Sequence, residues 1–342
     1  MNNKPTLTIF QGIPELADLS YDDMVTEWKN QLARHLEIGD YHIYPLKGRM
    51  LADRYQAEIG DSDAVIGPWI NPDYLSEPFF QLHPNVRYIS DLGHGYESFD
   101  IDLTRKYNVT ICNTPYGSNM IAQYAMALLL NICHDVSLHS QYSKSGYWEG
   151  KEQGSSRSYR QVLLPQIELY DKTIGILGLG NIGLCMANMA ASMGMHVIAH
   201  SRSIKTGPQY DFIDQVSLEE LLERSDIISI HCPHTPQTHH MINKETLSQM
   251  KTGVILINTA RGDIIDEDAL YDALEERKVY KAGLDVLTKE PPALQIPLMK
   301  SPYTYITSHI AWQSRTSRLR AVKMAVDNYV SYLHGNISHR IN

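Results

Sequence analysis

Residues 172–201 read KTIGILGLGNIGLCMANMAASMGMHVIAHS, and few stretches leave a chain so little freedom. A short apolar run, "TIGIL", meets Gly178, Gly180 and Gly183 at the spacing G-x-G-x-x-G. Ile182, Met186, Ala190 and Met193 then recur at helical intervals, and "MHVIAHS" follows as a second apolar strand. Strand, glycine turn, helix and strand make one parallel βαβ unit. In that frame the first glycine permits a tight turn and the second lets backbone approach a pyrophosphate. The third brings the helix against the strand. The helix N-terminus then offers its amide groups to an anion.

The same alternation runs through the rest of the chain. "PTLTIFQG", "DAVIGPW", "VRYISDLGHG" and "VTICNTP" are short apolar strands before the glycine unit. "IISIHCP", "GVILINT", "KAGLDV" and "YTYITS" continue the series after it. Helical patterns lie between, as where Met24, Trp28, Leu32 and Leu36 share one face. Ser217 and Glu220 stand at capping-box spacing. Strands alternating with helices predict an α/β fold with parallel sheets, and 342 residues suit two domains. A long helix is expected over 118–143, opened by Ser118 or Asn119 as N-cap. Residues 151–168 read as a polar loop, and "SRTSRLRAVKMAVDNYVSYLHG" as a C-terminal amphipathic helix.

At the end of "MHVIAHS" the glycine pattern predicts a carboxylate about 20 residues on, to bond a ribose 2′-hydroxyl. Arg202 stands there instead, between Ser201 and Ser203. A guanidinium and two hydroxyls suit a 2′-phosphate, which a carboxylate would repel. NADP is therefore the expected cofactor, with NAD as the alternative if the ribose is held otherwise.

Ligands of open α/β sheets bind beyond the carboxyl ends of the strands. After "VILIN" comes Thr259-Ala260-Arg261, after "AGLDV" the segment that reaches Glu290, and after "YTYITS" His309. Hydride delivery to a ketone leaves an alkoxide that needs a proton, and a histidinium donates one near neutral pH. A carboxylate beside that histidine fixes its ring and favours its charged form. An arginine clamps a carboxylate and polarises the adjacent carbonyl, which a 2-keto acid presents on neighbouring carbons.

Other function classes fit poorly. The net charge of −9 argues against nucleic acid. "YAMALLLNIC" is too short to span a bilayer, and the opening "MNNKPTLTIFQG" has no signal-peptide pattern, so no membrane partner is expected. Cys112, Cys133, Cys185 and Cys232 have neither paired nor metal-like spacing, which points to reduced thiols and a cytoplasmic setting. "HTPQTHH" offers no tetrahedral set, so no metal is expected.

With these residues in view, the chain resembles the D-isomer-specific 2-hydroxyacid dehydrogenases from about Tyr88 to His309. The matching segments are "LGHGYESFDIDLTRKYNVTICNTP", "AQYAMALLLNIC", "GILGLGNIG", "HCPHTPQTHHMI", "NTARGDIIDEDAL", "AGLDVLTKEP" and "SHIAW". The resemblance implies Arg261 as substrate clamp, Glu290 as partner of the histidine, and His309 as acid and base. It implies Asp285 near the nicotinamide carboxamide and the backbone amides of His94 and Gly95 on the substrate carboxylate. Dinucleotide contacts are implied for Asn181 and Ile182, for His231, Cys232, Pro233 and Thr238, and for Thr259, Ala260 and Arg261.

"QYAMALLLNICHDVSLH", "GYW" and "HIAW" look most like the glycerate dehydrogenase (hydroxypyruvate/glyoxylate reductase) branch. Ser308 departs from the proline usual before the histidine, and the segment after Trp148 is longer and more polar than is common. The family topology implies two Rossmann-like domains, with the dinucleotide-binding one (116–309) inserted into a flavodoxin-like substrate domain (1–115 and 310–342). It also implies a homodimer with helix 118–143 as its arm. The expected activity is reduction of hydroxypyruvate, glyoxylate or a similar small 2-keto acid to the D-2-hydroxy acid. A bulkier acid is the alternative, with Trp69 or Trp312 lining its pocket or packing in the core. A dinucleotide-sensing corepressor-type module is the rival class. Glu290 speaks against a formate-type site, which carries Gln there, and the lack of a further C-terminal domain speaks against a long phosphoglycerate dehydrogenase.

Overall fold

A computed structural model describes residues 4–14, 16–46, 56–68, 75–95, 99–145 and 163–342. Trp69, Trp148 and the part of the expected loop at 151–162 lie outside them. The chain divides into two compact units, Met1–Gly117 with Gln313–Asn342, and Ser118–Trp312.

The first unit is built on a parallel sheet of β1 (Leu7–Gly12), β2 (Tyr41–Leu46), β3 (Ala64–Gly67), β4 (Tyr88–Asp91) and β5 (Thr110–Cys112), in the order β2-β1-β3-β4-β5. This is the flavodoxin-like doubly wound order. Helix Tyr21–Leu32 starts at a Ser20–Asp23 capping box and buries Met24, Trp28 and Leu32. It packs with helix Arg315–Leu333, which presents Val322, Ala325, Val326 and Tyr329 to the same core. The Trp28 indole N–H donates to Gln11 Oε1 at 2.7 Å, so its polar atom is satisfied inside. Leu36 does not continue the apolar face: the helix stops at Leu32, and Leu36 is 84% exposed. Helical spacing sets a face but does not say where the helix ends.

The second unit carries β6 (Thr173–Leu177), β7 (His196–His200), β8 (Asp214–Gln215), β9 (Ile227–Ile230), β10 (Val254–Asn258), β11 (Val279–Leu284) and β12 (Thr304–Ile306). All pair in parallel, in the order β12-β11-β10-β9-β6-β7-β8. Counted from β6, this is the Rossmann order, with its topological switch point between β6 and β9. Strands β2 and β8 were not anticipated; β2 contains Pro45, and β8 is two polar residues long. Ser217 and Glu220 form the capping box of helix Leu218–Arg224.

The helix expected over 118–143 is two helices, Ser118–His134 and Val136–Lys144, bent by 50°. Asp135 breaks it. Its backbone is left-handed (φ 39°), its carboxylate caps Leu138 N, and Tyr305 donates to it at 2.7 Å. Ser118 and Asn119 are already helical rather than capping, and Asn119 Oδ1 accepts from the Cys185 thiol. The first helix packs on helix Asn181–Ser192 and on β10 and β11, inside the core of this unit. Among the described residues, no single helix is long and apolar enough to cross a membrane.

Candidate active site

Register places Ile306, Leu284, Asn258, Ile230, Leu177 and His200 in one row across the second sheet. Because the strands are parallel, Thr307, Asp285, Thr259, His231, Gly178 and Ser201 all leave the sheet at one carboxyl edge. The ladder extends one step further there. Gly178 N donates to His200 O and His231 N to Leu177 O, both at 2.8 Å, and Asp285 N donates to Asn258 O at 2.9 Å. Every segment of this unit marked for cofactor or chemistry thus leaves from one side.

The glycine turn fits a bound pyrophosphate. Gly178 has φ 101°, and a Cβ there would meet Cys232 N at 2.5 Å; one on Gly183 would meet Gly178 O at 2.1 Å. Gly180 is the opposite case, with nothing within 4 Å of a Cβ, which leaves open space at the start of the helix. That helix has no side-chain cap at Gly180, so its first amides are left for an anion. Asn181 and Ile182 form its first turn. Thr238 closes the turn after Pro233, its hydroxyl donating to Pro233 O at 2.7 Å. Burial pushes the Cys232 thiol up to about 11, so this cysteine packs rather than reacts. Arg202 and Ser203 are exposed, and the Ser201 hydroxyl donates to Ser203 O at 2.8 Å.

His231 Nε2 lies 2.8 Å from Ser229 Oγ, and its buried Nδ1 has no partner among the described residues. Burial pushes this imidazole down to about 3. The unfolded chain takes up a proton below its ordinary pKa near 6.5, and the folded chain refuses it until about pH 3. Stability therefore falls as pH drops through that window, by on the order of 2 kcal/mol between pH 6.5 and 5. In His231→Asn the fall in Tm between pH 7 and 5 should be smaller than in the parent; an equal fall would refute this.

Arg261, Glu290 and His309 come together through their turns. His309 Nδ1 donates to Glu290 Oε2 at 2.8 Å, and Leu287 N donates to Glu290 Oε1 at 3.0 Å. Burial raises the Glu290 carboxyl, but the His309 hydrogen bond and charge, the Leu287 amide and the Arg261 guanidinium bring it below the usual carboxylate range. Glu290 is thus held ionised beside the imidazole. The His309 backbone is left-handed (φ 56°) and gripped at both ends. Its N–H donates to Asp285 O at 2.8 Å, and its carbonyl accepts from Trp312 Nε1 at 2.9 Å.

Two polar residues that build this arrangement went unrecognised in their roles. Asn258 is 1% exposed; its Oδ1 accepts from Ala260 N and its amide donates to Arg261 O, both at 2.9 Å, which sets the Thr259–Arg261 turn. Asp285, also 1% exposed, accepts from Thr307 Oγ1, from Ile310 N at 3.0 Å and from Ala311 N at 2.8 Å. Its carboxylate thus holds the His309 loop in place. A buried polar residue ending an apolar strand is the signal that marks both.

His94 and Gly95 follow β4 in the first unit. Asn113 Nδ2 donates to His94 O and Gly117 N to His94 Nε2, both at 2.8 Å. Among the described residues, no three His, Cys, Asp or Glu side chains converge as metal ligands would.

Residues 126–311 match the NAD-binding domain of the D-isomer specific 2-hydroxyacid dehydrogenases. A hydroxypyruvate reductase of Blautia hydrogenotrophica is 35% identical over 317 residues, 92% of this chain and 95% of that protein. A glyoxylate/hydroxypyruvate reductase B of Serratia proteamaculans is 31% identical over 98% of this chain and 96% of its own length. Among solved structures, a glyoxylate reductase from Paecilomyes thermophila superposes with TM-score 0.78 at 26% identity, over 98% of each chain. An acyclic imino acid reductase in complex with NADPH and D-Arg gives TM-score 0.78 at 25% identity, over 98% of this chain and all of that one. Sequence, fold and the composition of this sheet edge agree, and the chain belongs to the D-isomer-specific 2-hydroxyacid dehydrogenase family.

Proposed function

We propose that this chain reduces a small 2-keto acid of the hydroxypyruvate or glyoxylate type to the D-2-hydroxy acid, with NADPH preferred and NADH as the alternative. The observation that carries the reading is the 2.8 Å His309–Glu290 pair at the strand edge that also carries Arg261 and the glycine turn. The reduced nicotinamide supplies a hydride when bound at that edge. His309 passes the proton on its ring to the carbonyl oxygen as that oxygen gains negative charge. Glu290, held ionised, orients the ring through Nδ1. Arg261 binds the substrate carboxylate and polarises the neighbouring carbonyl.

The supports for NADPH are the exposed Arg202 and Ser203 and the lack of a carboxylate from Ser201 to Lys205. Arg202→Asp is expected to lower NADPH use by 10-fold or more, as about 1.5–3 kcal/mol per lost charge-assisted contact implies, and to improve NADH use. Initial rates with both cofactors test it; an unchanged preference would remove Arg202 from the 2′-phosphate. A homodimer belongs to the same reading, since helix Val136–Lys144 buries none of its residues and Val136 is 71% exposed. The four free thiols fit a cytoplasmic setting.

The deciding experiment is initial-rate reduction of a 2-keto-acid panel, from glyoxylate and hydroxypyruvate to branched and aromatic acids, with NADPH and NADH side by side. Turnover of the small acids is expected. Tight NADPH binding without turnover of any acid would overturn the proposal in favour of a sensing module.

A further inference from the structure

We propose that Lys205 is a second cation for the cofactor's 2′-phosphate, and that Gln215 is the positioning residue that holds it in place. The proposal rests on the reading that Arg202 faces that phosphate. His200 ends β7, the backbone arches over Ser201–Lys205, and the chain returns as β8, where Gln215 pairs in register with Ala199.

Across this arch one side chain takes both backbone groups of one residue. Gln215 Oε1 accepts from Lys205 N at 2.7 Å, and Gln215 Nε2 donates to Lys205 O at 2.7 Å. A carboxamide can do this because it carries a donor and an acceptor side by side. The far end of the arch is thereby fastened to the sheet, as its near end is through β7. Ser201 ties the middle, donating to Ser203 O at 2.8 Å.

What the arch displays is one sign of charge. Arg202 and Ser203 are exposed, and Arg202 has no ion-pair partner among the described residues. Lys205 Nζ lies 3.4 Å from Ser203 Oγ, so an ammonium sits beside a hydroxyl already assigned to the phosphate. The neighbouring acid on β8, Asp214, is taken by Arg224 at 2.8 Å and does not cancel that charge. A phosphate dianion is the ligand group that a guanidinium, an ammonium and a hydroxyl share. A fastened arch also loses little freedom on binding, so its contacts are retained as affinity.

Read only as structure, Lys205 is a solvated surface cation and Gln215 a loop clamp. The two readings differ in selectivity. Kd for NADPH and NADH would be measured by fluorescence titration, and KM and kcat by initial rates with glyoxylate, for Lys205→Met and Gln215→Leu. Lys205→Met is expected to lower the NADPH-over-NADH affinity ratio about tenfold. Gln215→Leu is expected to lower it several-fold, through KM for NADPH rather than kcat. Equal losses for both cofactors, or an unchanged ratio, would overturn the proposal. If Gln215→Leu fails to fold, Lys205→Met alone decides whether the second cation exists. Arg202→Asp separates the layers: no change there sinks the 2′-phosphate reading itself, whereas a change there with none in Lys205→Met sinks only this extension.

Discussion

His309→Ala should lower kcat for 2-keto-acid reduction by about 10²–10⁴-fold, the usual worth of a positioned general acid. The substitution removes the ring that faces Glu290 at 2.8 Å. It does not remove the backbone that shapes the loop. The Asp285 carboxylate still receives Ile310 N and Ala311 N, and residue 309 still offers its N–H to Asp285 O. The left-handed backbone at this position (φ 56°) costs alanine about 1 kcal/mol, a small strain against a fold of this size. NADPH should therefore bind nearly as before while reduction collapses, by fluorescence titration against initial rates. Retained turnover would remove His309 as the proton donor. Loss of NADPH binding in parallel would show that the residue holds the site together instead.

Gly262→Ala should be the most damaging single-methyl change at the site. A Cβ there would lie 2.0 Å from Leu287 C and 2.1 Å from Thr288 N, and both are backbone atoms that no rotamer change can move. Gly262 follows Arg261, and Leu287 donates its N–H to Glu290, so this contact presses the arginine turn against the glutamate turn. Overpacking a closed contact costs about 1–3 kcal/mol, and displacing catalytic groups by an ångström costs about 10²-fold in rate. A lower Tm together with kcat/KM reduced about 100-fold is expected. Gly12→Ala is the control, since a Cβ at Gly12 meets nothing within 4 Å. Normal activity and Tm in Gly262→Ala would mean that the two turns can separate without consequence.

Much of the chemistry was legible because it is local. The three glycines sit between a strand and a helix, and Arg261, Glu290 and His309 each follow an apolar strand, so residue type and position pointed the same way. The supporting residues were less legible. Asp285 acts through groups brought to it by folding, Ala311 N being 26 residues away, whereas Asn258 acts within a three-residue turn that has no apolar period to mark it. Strand β8 left no periodic trace, being only Asp214 and Gln215, yet it fastens the arch beyond β7. The break at Asp135 was hidden because a single aspartate adopts the left-handed conformation with no glycine or proline to mark it.

By itself, then, the amino-acid order determined a parallel α/β chain with a phosphate-binding turn and an acid–base pair after its later strands. Apolar periodicity and glycine placement act over a few residues, and they are written where they act. Only the tertiary structure decided that β6 lies between β7 and β9, and that six strand ends fall in one row. Parallel pairing joins segments tens of residues apart, and its register is chosen by which faces bury together rather than by any one strand. That choice turned separate strand ends, each unremarkable alone, into a single reactive edge.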